Sequence, residues 1–183
     1  MITKTFKRRE GFSGRALWIA MAASVILAGI APKAAAQDTL GGHIGFVLPL
    51  VTHANGQTTN IGDHFSIGFP LGITVKGQGH LAYDMELVPA VQGHPRQTNL
   101  TVHPGLVYGV GHGVAVGMRA AFDINSSQFG FTPLVNKSWP FKDQSGFFKA
   151  YFVEGVLPVR FNRPTGGPAS NPVTFGVHFG LGF

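Results

Sequence analysis

The chain has 183 residues, no cysteine, and 14 Lys+Arg against 8 Asp+Glu. The missing cysteines exclude disulfides, which fits an exported chain that folds without them. Six of the bases and one of the acids fall in residues 1–36, so the remaining eight bases face seven acids, and a net charge of +1 there excludes a basic nucleic-acid-binding surface.

The first element in chain order is a leader. Lys4, Lys7, Arg8, Arg9 and Arg15 precede an apolar run from Leu17 to Ile30, and Ala34-Ala35-Ala36 supplies small residues before Gln37. That order is the layout of a cleaved secretory signal peptide. The run also falls short of the ~20 residues that a spanning helix needs. The expected organisation is a signal peptide over 1–36 and one domain over 37–183.

Within the domain, large apolar residues recur at every second position, the period of a β-strand with two unlike faces. A less regular stretch at 40–51 comes first. Residues 65–76 then place Phe65, Ile67, Phe69, Leu71, Ile73 and Val75 opposite Ser66, Gly68, Pro70, Gly72, Thr74 and Lys76. Residues 80–91 set Leu81, Tyr83, Met85, Leu87 and Val91 against His80, Asp84 and Glu86. A weaker pattern covers 99–110. Residues 113–124 set Val114, Val116, Met118, Phe122 and Ile124 against Gly117, Arg119 and Asp123. After a stretch at 129–136, residues 147–161 oppose Tyr151, Val153, Leu157, Val159 and Phe161 to Glu154 and Arg160. The last strand sets Val173, Phe175, Val177, Phe179, Leu181 and Phe183 against Thr174, Gly176, His178, Gly180 and Gly182. Prolines 49, 70, 89, 104 and 158 remove ladder donors, so bulges or strand ends must absorb them.

Eight strands result, and their connections alternate in length. Long polar segments lie at 52–64, 92–98 and 162–172, with a shorter one at 125–128. Short turns lie at 77–79 and 111–113, with a longer connection at 138–146. Short turns on one side and long loops on the other are the rhythm of an up-and-down membrane barrel. A soluble barrel would have to pack the large residues of eight strands into one small lumen. In a bilayer they face lipid, and the small and charged residues face inward. Strands of about 9–11 residues also suit a tilted span, and closure gives every backbone donor a partner. The expected fold is therefore all-β: an eight-stranded antiparallel up-and-down transmembrane barrel.

The final segment, with Phe175, Val177, Phe179, Leu181 and Phe183 alternating to the end, resembles the closing strand of Gram-negative outer-membrane barrels. With the leader and the strand count, residues 38–183 resemble the small eight-stranded group that includes the OmpA transmembrane domain, OmpX and OmpW. The resemblance implies a cell outer-membrane location among lipid and lipopolysaccharide. It further implies a monomer, and the barrel-assembly machinery as a partner that reads those five residues as an assembly signal.

The inward phase carries Asp84, Glu86, Arg119, Glu154 and Arg160, with His43 and His178. Buried charges must pair, so these seven are expected to form a lumenal charge cluster that plugs the barrel. Glu154, His178 and His43 are expected to line up across neighbouring strands. The histidines invite a metal reading: His53 and His64 share a loop with Asp63, and His94 lies in the next. None has tight ligand spacing, so no metal or other cofactor is expected. A lipid A deacylase would need a His/Ser pair with a carboxylate. His64 and Ser66 stand two apart, but Ser66 falls on the inward phase, so no catalytic residue is assigned. The expected function is a non-enzymatic outer-membrane barrel with a structural or surface-interaction role. Alternative readings are a narrow channel for small or hydrophobic solutes, a lipid A-modifying barrel enzyme, and a soluble periplasmic ligand-binding barrel.

Overall fold

The computed structural model describes residues 39–77, 79–93, 96–162 and 169–183; the leader expected over 1–36, Gln78 and His94 lie outside them. The described residues form eleven β segments: β1 (Thr39–Ala54), β2 (Gln57–Asn60), β3 (Ser66–Gly68), β4 (Leu71–Lys76), β5 (Leu81–Gln92), β6 (Gln97–Gly111), β7 (Val114–Asp123), β8 (Gln128–Pro140), β9 (Ala150–Val156), β10 (Val159–Asn162) and β11 (Val173–Gly182). Every pairing is antiparallel, and β11 pairs back onto β1 from His43↔Gly182 to His53↔Val173. The sheet is therefore closed. Its wall has eight strands, because β3 with β4, and β9 with β10, are each one strand interrupted once. Segment β2 is a short hairpin extension of β1 at the far end.

Both interruptions fall at proline. Phe69-Pro70 separates β3 from β4, and Leu157-Pro158 separates β9 from β10. Pro49 sits at the register shift between β1 and β11. Pro89 and Pro104 stay within strands, and the ladders pass them by another route. The partners of β5 jump from Gly68↔Ala90 to Leu71↔Leu87, with Phe69 N–H donating to Pro89 O at 2.8 Å. The β6–β7 ladder runs from Val102↔Phe122 to Gly105↔Arg119, omitting His103 and Pro104. Missing donors are thus gathered into ladder gaps rather than left inside hydrogen-bonded pairs.

Three boundaries differ from the expectation. The segment 52–64 is not all loop, since β1 continues to Ala54 and turns through Asn55 (φ 52°) and Gly56 (φ 75°) into β2. Asn-Gly favours this turn because both residues tolerate positive φ. His112 and Gly113 repeat the geometry (φ 52° and 74°) at the expected turn between β6 and β7. The connection expected at 138–146 begins later, because Ser138, Trp139 and Pro140 still pair with Phe152, Tyr151 and Ala150. Phe147 and Phe148, expected in the seventh strand, belong to that turn and pack against Phe183, with the Phe147 and Phe183 rings stacked at 4.8 Å. In the same turn Asp143 Oδ1 accepts the Ser145 N–H at 2.8 Å, and this bond first of all holds its carboxyl below the usual carboxylate range.

The two faces are chemically inverted relative to a soluble barrel. Ile73, Leu106, Met118, Val135, Val153 and Phe179 are exposed on the outside. Asp84, Glu86, Arg119, Glu154 and His178 are at most 3% exposed. Aromatic residues collect near both rims. At the end holding Thr39 and Phe183, here the terminal end, Trp139 stacks on Tyr151 at 5.3 Å and Tyr108 lies 5.5 Å from His80. At the opposite, distal end, Phe161 contacts Phe129 and Phe131. Such belts mark the interfaces of membrane barrels.

Candidate functional site: the lumenal ionic layer

Each strand contributes to the lumen through its inward phase. Asp84 and Glu86 come from β5, Arg119 from β7, Glu154 from β9, His43 from β1 and His178 from β11. Arg119 is the hub. Its Nε donates to Asp84 Oδ2 at 2.7 Å, and its Nη1 donates to Glu154 Oε1 at 2.8 Å and lies 3.5 Å from Glu86 Oε2. One guanidinium thus faces three carboxylates, which its fixed fork of donors permits.

The remaining carboxylate lone pairs find further partners. Thr74 Oγ1 donates to Asp84 Oδ1 at 2.6 Å, and Asn136 Nδ2 to Glu154 Oε2 at 3.3 Å. His43 Nε2–H donates to Glu86 Oε1 and His103 Nδ1–H to Glu86 Oε2, both at 3.0 Å. His178 Nδ1–H donates to Glu154 Oε1 at 3.2 Å. His103 has a fixed tautomer. Arg160 Nη2 stands 3.0 Å from His103 Nε2, and arginine only donates. The ring must therefore accept there and carry its proton on Nδ1.

Six of the seven expected lumenal residues meet in this layer. Arg160 stands beside it: it bonds His103, Thr132 Oγ1 and the carbonyls of Phe131 and Val159, and reaches the carboxylates only through His103. His178 is registered directly opposite Glu154, whereas His43 is opposite Gly182 and turns across the sheet to Glu86. His103, Asn136 and Thr74 complete the layer without having been assigned from sequence. His103 was legible in principle, since it shares the inward phase with Thr101 and Gly105. The inner face also holds large apolar side chains: Val88, Leu134, Phe152 and Val156 are buried. Phe152 meets the rings of His43 and His178 edge-on, at 5.7 and 4.8 Å.

Close approach of the backbone makes room for the His43 ring. A Cβ on Gly72, whose register partner is His43, would overlap that ring. Gly72→Ala should therefore lower stability by ~1–3 kcal/mol, the usual cost of overpacking. The urea midpoint of the folded barrel reads this, and an unchanged midpoint would mean that His43 does not cross Gly72 to reach Glu86.

The layer divides the lumen. One cavity of about 260 Å³ opens toward the terminal end, lined by Thr74, Lys76, Ser138 and Lys149 among others. A second, of about 140 Å³, lies on the distal side, lined by Ser66, Ala90, His103 and Arg160 among others. Arg119 and Glu154 line both cavities and form the partition between them.

Among the described residues, the loop side chains make separate contacts. His53 Nδ1 bonds Thr58 Oγ1 at 2.9 Å, and Asp63 Oδ2 accepts the Asn60 N–H at 2.8 Å. Among the described residues no hydrogen bond joins His64 to Ser66. The nitrogen and oxygen donors that do converge are His43, Glu86 and His178, inside the barrel.

No family model matches the chain, and no curated protein does. Among solved structures, the chain is similar to the outer membrane protein OprG from Pseudomonas aeruginosa, with 11% identity, 78% of this chain and 93% of that chain covered, and a TM-score of 0.42.

Proposed function

We propose that residues 37–183 span the outer membrane as a barrel with a closed lumen. The role is non-enzymatic, structural or surface-interacting, and exerted through the wall and the distal loops. The observation that carries this reading is the inversion of polarity. The buried interior is a hydrogen-bonded ionic layer, while a continuous band of Leu, Ile, Val, Met and Phe faces outward. Soluble monomers rarely expose contiguous apolar patches beyond a few hundred Å², so the band argues against the soluble ligand-binding barrel. Lipid satisfies it, and backbone closure meets the requirement of a medium without water. In this proposal the terminal end faces the periplasm, lipid and lipopolysaccharide surround the wall, and the barrel-assembly machinery reads Phe175 to Phe183 as a monomer is inserted.

Fractionation of cells combined with a heat-modifiability gel tests location and barrel together. The wild type should appear in the outer membrane as a band that shifts on boiling, and Phe183→Asp should lower that band more than Gly182→Ala does. The purified barrel should carry no large steady current in planar bilayers. Recovery in the soluble periplasm would reject the membrane reading, and stable ion currents would replace the closed lumen with a channel.

A further inference from the structure

We propose that His43, Glu86 and His178 form a binding site for one divalent transition cation of the zinc class, placed between the two lumenal cavities. Glu86 Oε1 stands 3.0 Å from His43 Nε2 and 3.7 Å from His178 Nδ1, and one donor atom from each of the three residues lies within 4.8 Å of the others. Two ligands on a tetrahedral ion with bonds of 2.0–2.2 Å are about 3.4 Å apart. The separations of 3.0 and 3.7 Å straddle that value, so small side-chain rotations close the site. Two imidazoles and a carboxylate suit zinc, nickel or copper; calcium and magnesium prefer oxygen alone.

Three further observations point to a ligand. First, His178 Nε2 is buried without a hydrogen-bond partner. It lies beside the Gly45 backbone, where an added Cβ would come within 3.0 Å of it. With Nε2 free to carry the ring proton, Nδ1 can turn its lone pair from Glu154 to the ion. Second, Asp84, Glu86 and Glu154 contact a single guanidinium, that of Arg119. Their formal charges leave −2, which a dication balances. Third, an outer shell is in place. When His43 Nε2 turns its lone pair to the ion, its proton moves to Nδ1, which lies 4.0 Å from Asp84 Oδ1. Carboxylates behind ligating histidines orient the rings and raise their basicity. Access exists from both sides, since His43 lines the terminal cavity while Glu86 and His178 line the distal one.

The site depends on the lumen and not on where the barrel resides. Equilibrium dialysis of the purified, detergent-folded protein against zinc chloride alone tests it. The wild type should take up one equivalent and unfold at a higher temperature with zinc than without. His43→Gln and His178→Gln should each bind at least tenfold more weakly. His103→Gln removes a different Glu86 contact, and its affinity should stay within about threefold of wild type, so it controls for general loosening of the layer. No uptake by the wild type, uptake undiminished in both ligand variants, or equal loss in His103→Gln would overturn the proposal. If the variants do not fold, zinc-edge absorption of the wild type decides. Two imidazole nitrogens with carboxylate oxygen at about 2.0–2.2 Å support the site, and a first shell without imidazole refutes it.

Discussion

Arg119→Ala should lower the stability of the folded barrel by ~3–5 kcal/mol, the cost of breaking a buried ion pair by removing one partner. The size follows from the hub geometry. Three carboxylates, each at most 3% exposed, lose the one guanidinium that contacts them. Arg160 does not replace it, because it is held on His103, Thr132 and backbone carbonyls. Water entering from the two cavities would reduce the loss. Arg119→Lys should recover part of it, since an ammonium restores the charge without the fork that bonds Asp84 and Glu154 together. Urea unfolding in lipid vesicles measures both variants, and Val116→Leu, an outward apolar exchange on the same strand, should shift the midpoint by less than about 0.5 kcal/mol. A midpoint for Arg119→Ala equal to wild type would mean that the carboxylates are not held by Arg119.

One position earlier the rule reverses. Met118→Arg should destabilise the barrel by ~2–4 kcal/mol, the cost of an arginine facing lipid near the bilayer midplane. Met118 is 49% exposed on the outer face and pairs with Leu106, itself outward. In a soluble barrel the same change on an exposed side chain would stay within about 0.5 kcal/mol. The comparison therefore separates lipid from water as the outer medium, independently of any fractionation. It is read as the difference between vesicle-folded Met118→Arg and wild type, with Tyr108→Arg near the terminal rim expected to cost less. Equal stability of Met118→Arg and wild type would place water outside the wall.

The wall was legible where alternation was strict. Residues 65–76 and 80–91 carry large apolar side chains at nearly every second position, and these are the outward positions of β3, β4 and β5. Partners within the lumen were harder to read. Alternation places a residue on a face but says nothing about which strand its side chain reaches. His43 was expected in line with Glu154 and His178; its ring lies 5.6 Å from that of His178, and the space above Gly72 also lets it cross to Glu86. His103 escaped notice because Pro104 and Gly105 follow it and Val107 puts a large residue on the inward phase, which blurs the period there. Phe152 and Val156 were hidden for the opposite reason: apolar residues on both faces of β9 make an inward phenylalanine look like a register error. The hairpin of β1 and β2 rests on Asn55-Gly56, a turn signal inside a stretch otherwise polar enough to pass for loop.

Pairing of β11 with β1 joins residues far apart in the chain, such as His43 with Gly182. β1 leaves the ribosome first and its partner last. Until β11 is made, one side of β1 has no strand to bond, and each newly added strand replaces one open edge with another. Open edges recruit strands from other chains, and contacts this distant in sequence form slowly. The chain therefore passes through a long interval in which it must be kept extended and apart from its copies. Neither half of the wall is a stable stopping point along the way, because the ionic layer draws its members from β1, β5, β7, β9 and β11 together. The polar interior thus comes into being in the same step that seals the seam.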